Sequence, residues 1–137
     1  MWWLYALLSA LFASLTAITA KMGIAGVNSN LATAIRTLVV LLVAWMIVLT
    51  RGEAKGISTL SKQNLVFLVV SGICTGLSWI FYFKALQVGK VSQVAPVDKL
   101  SLALTILLSV VILGEALTLK TALGALLIIA GSLVLIL

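Results

Sequence analysis

The sequence predicts an all-α integral membrane protein with five transmembrane helices, and three observations carry that expectation. Of 137 residues, 64% are apolar and only 9% are charged, where soluble domains run at about half and a quarter. Mean hydropathy is +1.33. Apolar stretches of roughly 20 residues, the length that crosses a bilayer core, recur along the chain with short connections between them. A water-soluble globule of this size would leave too much apolar surface exposed, and a disordered chain has the opposite composition. Lipid is therefore the expected solvent, and the bilayer the first partner.

The same composition limits the chemistry. Histidine is absent and Cys74 is the single cysteine, so neither a disulfide framework nor a Cys/His metal site is expected. There is no Gly-rich phosphate loop, HExxH or Ser/His/Asp set, and so no enzyme activity, metal or cofactor is expected. The net charge of +6 would suggest nucleic acid in a soluble domain. Here the charges are spread between apolar segments and read as membrane topology instead, with no nucleic-acid partner.

The first span covers about 2–20. Trp2, Trp3 and Tyr5 suit an interfacial anchor, and the lack of a basic leader in front of a long apolar run argues against a cleaved signal peptide. Small residues at Ala6, Ser9, Ala10, Ala13, Thr16, Ala17 and Ala20 recur at steps of three and four, which places them on one stripe for helix packing or for lining a cavity. The second span, about 31–50, carries Arg36. A polar surface loop over 51–64 follows, with Gly52, Gly56, Ser58 and Ser61 among its residues.

The third span, about 65–83, shows Gly72, Thr75, Gly76, Trp79 and Tyr82 or Phe83 on one face. Gly72 and Gly76 match a close-packing motif. Trp79 lies away from the interface, so its ring serves either packing or a ligand. Lys84 ends this span.

The fourth span, about 94–113, carries Asp98, Ser101, Thr105 and Ser109 at spacings that make one polar stripe, expected to face the bundle or a wet cavity. Pro96 either opens the helix, which puts Asp98 in a first turn stabilised by the helix dipole, or bends a helix that begins near Ser92. Arg36 or Lys84 is the expected ionic partner of Asp98. Lys99 lies about 100° around the helix and is expected to snorkel to the interface. The fifth span, about 119–137, is free of charge after Lys120, and Gly124 and Gly131 share a face suited to close contact with another helix.

Counting Lys and Arg by side places Lys21, Arg36, Lys84, Lys90 and Lys99 on one side, and Arg51, Lys55, Lys62 and Lys120 on the other. Such a balance sets almost no orientation. Either short loops blur the span boundaries, or the chain inserts both ways up and pairs with itself antiparallel. Two antiparallel five-helix units would reproduce an inverted-repeat transporter, with one chain forming one half and the site at the midplane of the interface.

The runs from Trp79 to Gly89, from Val91 to Ser101 and from Leu107 to Glu115, with Leu126 to Gly131 after Gly124, resemble the EamA-like domain of the drug/metabolite transporter superfamily. Arg36 sits where that domain has an arginine in its second helix. The resemblance implies a five-helix bundle, normally present as two inverted copies in one chain, with helices one, three and four of each half lining a central cavity. A single copy then needs a second chain. The sequence is also similar to the small multidrug-resistance branch, whose first-helix glutamate has no counterpart, because Met1–Ala20 contains no acid.

Together these readings predict a multi-pass protein of a prokaryotic plasma or inner membrane. Its expected function is secondary transport of small metabolites, amino-acid-like or other small organic solutes, by alternating access in an antiparallel dual-topology homodimer. Trp79, Tyr82, Ser101 and Thr105 are expected to line the pathway, and Arg36, Lys84 and Asp98 to form a gating charge network. Gly72, Gly76, Gly124 and Gly131 are expected at helix or dimer contacts. The alternative is a non-transporting subunit or lipid-handling partner assembling with a different chain.

Overall fold

The computed structural model describes residues 1–136. The described residues are mainly helical, joined by turns and by the irregular segment 114–118, with no strand among them. Among them are six α-helices: α1 (Trp2–Gly23), α2 (Ser29–Thr50), α3 (Lys62–Val88), α4 (Val91–Asp98), α5 (Leu100–Leu113) and α6 (Leu119–Val134). A 3₁₀ helix, Glu53–Thr59, joins α2 to α3. The chain divides into two compact units, one made of Met1–Ile18 with Val88–Leu137 and the other of Thr19–Gln87.

Four stretches are long and apolar enough to span a bilayer: α1, α2, α3 and the α4–α5 stretch Val91–Leu113. The expected fifth span is shorter than the sequence pattern suggests. α6 has 16 residues and a length of about 24 Å, against roughly 30 Å of hydrocarbon. The expected 119–137 span counted apolar residues, but Leu135 and Ile136 have already left the helix for a turn.

The other boundaries shift for physical reasons. α3 is 27 residues long, or about 40 Å, so it begins at Lys62 and ends at Val88 rather than covering 65–83. Its polar flanks, Lys62-Gln63-Asn64 and Lys84 to Gln87, are helical because their backbone bonds continue beyond the apolar stretch. Lys84 is therefore a full turn inside α3 instead of at its end. The expected polar loop 51–64 is mostly structured, since the 3₁₀ segment follows Gly52, whose φ of 67° is freely available only to glycine.

In the unit Thr19–Gln87, the end of α1, the start of α2 and the end of α3 come together. Asn28 caps α2, its side-chain oxygen accepting from the backbone N–H of Asn30 (2.9 Å) and Leu31 (3.4 Å). Ile24, Phe83 and Leu86 are buried here beside Ser29 and Thr33. Two long side chains tie the elements: Lys21 Nζ donates to the Leu86 carbonyl, and Gln87 Nε2 donates to the Val27 carbonyl. Backbone acceptors at helix ends and turns lack intrahelical partners, and these contacts satisfy two of them.

In the other unit, α6 packs along α5 and reaches α4. Pro96 lies inside α4, near its end, and does not open the helix, which decides between its two readings. Proline removes one N–H and its ring disturbs the preceding turn; three residues later, where α4 meets α5, the helix tightens at Lys99 and then continues to Leu113 as one membrane-length stretch. The Lys99 N–H is shared between the Ala95 carbonyl at 3.3 Å and the Pro96 carbonyl at 3.1 Å. Ser132 of α6, buried, donates its hydroxyl to the same carbonyl at 3.0 Å. Ser132→Ala is expected to cost about 0.6 kcal/mol, the average for an interhelical hydrogen bond in a membrane protein. Thermal unfolding in detergent would show a shift of a few degrees, and an unchanged midpoint would deny the bond a structural role.

Candidate functional site

The candidate residues fall into two groups, one in each unit. In Thr19–Gln87, the Arg36 guanidinium carbon lies 4.6 Å from the Trp79 ring centroid and 5.1 Å from that of Phe83, well within cation–π range. The spacing explains the match. Arg36 is seven residues, about 10 Å, from the start of α2, and Trp79 is nine residues, about 13 Å, from the end of α3. Antiparallel helices thus present the two at similar depth. Phe83 is buried and meets Tyr82 edge-on at 6.2 Å between centroids. Tyr82 and Trp79 are both half-buried, while Lys84 is exposed.

The polar stripe of the fourth span is present but differs in its bonding. Thr105 donates to the Ser101 carbonyl at 2.8 Å, and Ser109 to the Ile106 carbonyl at 2.9 Å. These hydroxyls satisfy themselves on their own helix, so they do not by themselves force the stripe to face protein. Ser101 and Thr105 are exposed on the isolated chain.

The ionic partner of Asp98 is Lys99, with Nζ 3.5 Å from Oδ2 and side chains 53% and 36% exposed respectively. This corrects the expectation that Lys99 would point away. The 100° rule holds for a regular helix, but α4 ends at Asp98 and Lys99 stands in the turn before α5, from which its flexible stem reaches back. Arg36 takes aromatic partners in its own unit, so the structure brings together Arg36 with Trp79 and Asp98 with Lys99.

The four glycines leave open faces. A Cβ built on Gly72, Gly76, Gly124 or Gly131 would meet nothing within 4 Å. Close approach by these positions is therefore not used within the single chain.

α5 and α6 enclose an apolar cleft of about 630 Å³, lined by side chains that include Leu100, Ala103, Leu107, Val110, Ala122 and Leu126. All of its lining residues are aliphatic, and such a surface offers no polar group to orient a solute. Among the described residues no cluster of His, Cys, Asp and Glu could hold a metal ion.

Sequence reasoning missed three features. Ser29, Thr33, Arg36 and Thr37 form a polar stripe on α2, where Thr33 and Thr37 each donate to the carbonyl four residues back at 2.8 Å. The i, i+4, i+7, i+8 spacing was a readable signal. Phe83 as the second ring of the Arg36 site was visible only as an alternative to Tyr82. The Ser132–Pro96 bond joins residues 36 apart and left no local signal.

Residues 1–137 match the EamA-like transporter family. The chain is 46% identical over 134 residues to a protein of a Sinorhizobium species described as an uncharacterised transporter in the cobO 3′ region, covering 98% of this chain and 95% of that one. An uncharacterised protein of Methanocaldococcus jannaschii is 32% identical over 77 residues, 56% of either chain. No solved structure matches the chain. With apolar membrane-length helices and a match to the family along its full length, the chain belongs to the EamA-like transporter family and is a membrane transporter.

Proposed function

We propose that this transporter moves small organic solutes, amino-acid-like or similar, across a prokaryotic cell membrane by alternating access, and that its working unit is an antiparallel homodimer of chains inserted both ways up. The observation that carries this reading is the Asp98–Lys99 ion pair inside the fourth span, at the point where its helix tightens. The pair stands eight residues, about 12 Å, from the start of that span. Charged groups at such depth face a bundle interior or a wet cavity. On the isolated chain this pair is open, and so are the faces of Gly72, Gly76, Gly124 and Gly131. A second copy would cover them and place two such pairs across one cavity.

In that cavity Trp79, Tyr82, Ser101 and Thr105 line the pathway. Arg36, Lys84 and Asp98 supply its charge network, with Lys99 added by the pairing described above. The near-equal distribution of Lys and Arg on the two sides supports dual insertion. The test is a pair of C-terminal reporters, one active only inside the cell and one only outside. Comparable signal from both is expected. Signal from one alone would overturn the antiparallel homodimer.

A further inference from the structure

We infer that Arg36, held over Trp79 and Phe83, anchors an oxyanion of the transported solute, a carboxylate or phosphate attached to an apolar or aromatic body. This rests on the transporter reading above and adds the chemical class of the solute. The Trp79 and Phe83 rings hold the guanidinium carbon at 4.6 and 5.1 Å from their centroids. Neither ring offers a lone pair to its five N–H donors, which form a planar fork suited to oxygen acceptors. At about 10 Å along a membrane helix, water and headgroups are not a free supply of them.

The electrostatic neighbour of Arg36 in this unit is Tyr82 and not a carboxylate. Thr19–Gln87 holds one carboxylate, Glu53. That residue stands beyond the far end of α2 and lies 3.9 Å from Arg51. The groups near the Arg36 end are cationic instead, with Lys84 exposed and Lys21 donating to the Leu86 carbonyl. The local field therefore favours an anion and repels a cationic solute. A carboxylate or phosphate presents two oxygens that match the guanidinium fork. Half-exposed Trp79 and Tyr82 supply aromatic surface for the rest of the molecule. Lipid phosphate has the same oxyanion chemistry, and the depth of Arg36 favours a solute over a headgroup.

Equilibrium binding of labelled phenylacetate and phenyl phosphate to the purified protein tests the inference, with phenylethylammonium and phenylacetamide as matched competitors. Saturable binding of at least one anion is expected in maltoside detergent, undisturbed by the cation or the amide. Arg36→Gln should weaken it at least about tenfold, the change that corresponds to about 1.4 kcal/mol. Arg36→Lys, which keeps the charge and loses the fork, should fall between, and circular dichroism should show both variants folded. Binding of neither anion, equal competition by the cation, or an unchanged Arg36→Gln would overturn the inference. Displacement of the probes by added phosphatidylglycerol would also overturn it, by assigning the site to a headgroup.

The two readings fail separately. Arg36-dependent binding without movement into proteoliposomes would leave the site standing and remove transport of these anions. Transport of other solutes with binding indifferent to Arg36 would leave the transporter reading and remove this site.

Discussion

Asp98→Asn is expected to reduce transport about 100-fold while the chain remains folded, inserted and dimeric. The substitution keeps size and shape and deletes one charge. Lys99, now 3.5 Å from a neutral amide in place of a carboxylate, is left as an uncompensated cation within the fourth span. Insertion scales place such a lysine near the bilayer centre at about 2.5–3.5 kcal/mol, and about 2.7 kcal/mol is a factor of 100 in rate or equilibrium. In an alternating-access cycle that cost falls unequally on the two states, because Lys99 faces water in one and is closed over in the other. The equilibrium therefore shifts to the state that wets Lys99, and turnover stops there. Proteoliposome transport against a panel of labelled amino acids and organic acids, with dimer content measured alongside, checks the prediction. A folded dimer with full activity would remove Asp98 from the mechanism. The double variant Asp98→Asn/Lys99→Gln separates the contributions: it removes both charges, so any loss that persists belongs to the carboxylate itself.

Much of the helical layout was legible because in lipid the backbone must satisfy itself within each span, which makes hydropathy a direct reading of element position. α1, α2 and the stretch Val91–Leu113 fall close to their expected places for that reason. The ends were less legible. Hydropathy marks where side chains meet lipid, but a helix stops where its backbone bonds stop. α3 accordingly runs past its apolar core at both ends, and α6 stops before its apolar sequence does. Single-helix periodicity put Asp98, Ser101, Thr105 and Ser109 forward as a stripe, and it also singled out Trp79, which meets Arg36. Pairing between residues was the weaker part. The Asp98–Lys99 bridge depends on a tightened turn that periodicity assumes away, and the Arg36–Trp79 contact depends on the relative depth of two helices. Neither quantity is local to one stretch of sequence.

Adding two to four lysines to the loops of one side should convert mixed insertion to a single orientation and abolish transport, and mixing two oppositely biased variants should restore it. The natural distribution of five Lys and Arg against four leaves the two orientations nearly equal in free energy, because bias follows the difference in positive charge and not the total. The surface near Glu53–Thr59, which already holds Arg51, Lys55 and Lys62, is one place for the change, and Ser58→Lys, Thr59→Lys, Gln63→Lys and Asn64→Lys together move the count from five against four to five against eight. The opposite bias is made by Asn28→Lys with Gly89→Lys, giving seven against four. Asn28 caps α2, however, so Asn30→Lys is the better choice for the first of these. Each variant alone should place its C-terminal reporter almost wholly on one side and leave only parallel chains, whose fourth-span ion pairs cannot face each other across a pseudo-two-fold axis in the membrane plane. Co-expression supplies both orientations again and should recover transport toward the wild-type level. Activity retained by either single-orientation variant would show that antiparallel pairing is dispensable, and failure of the mixture despite correct opposite insertion would mean that the added charges themselves block the cycle.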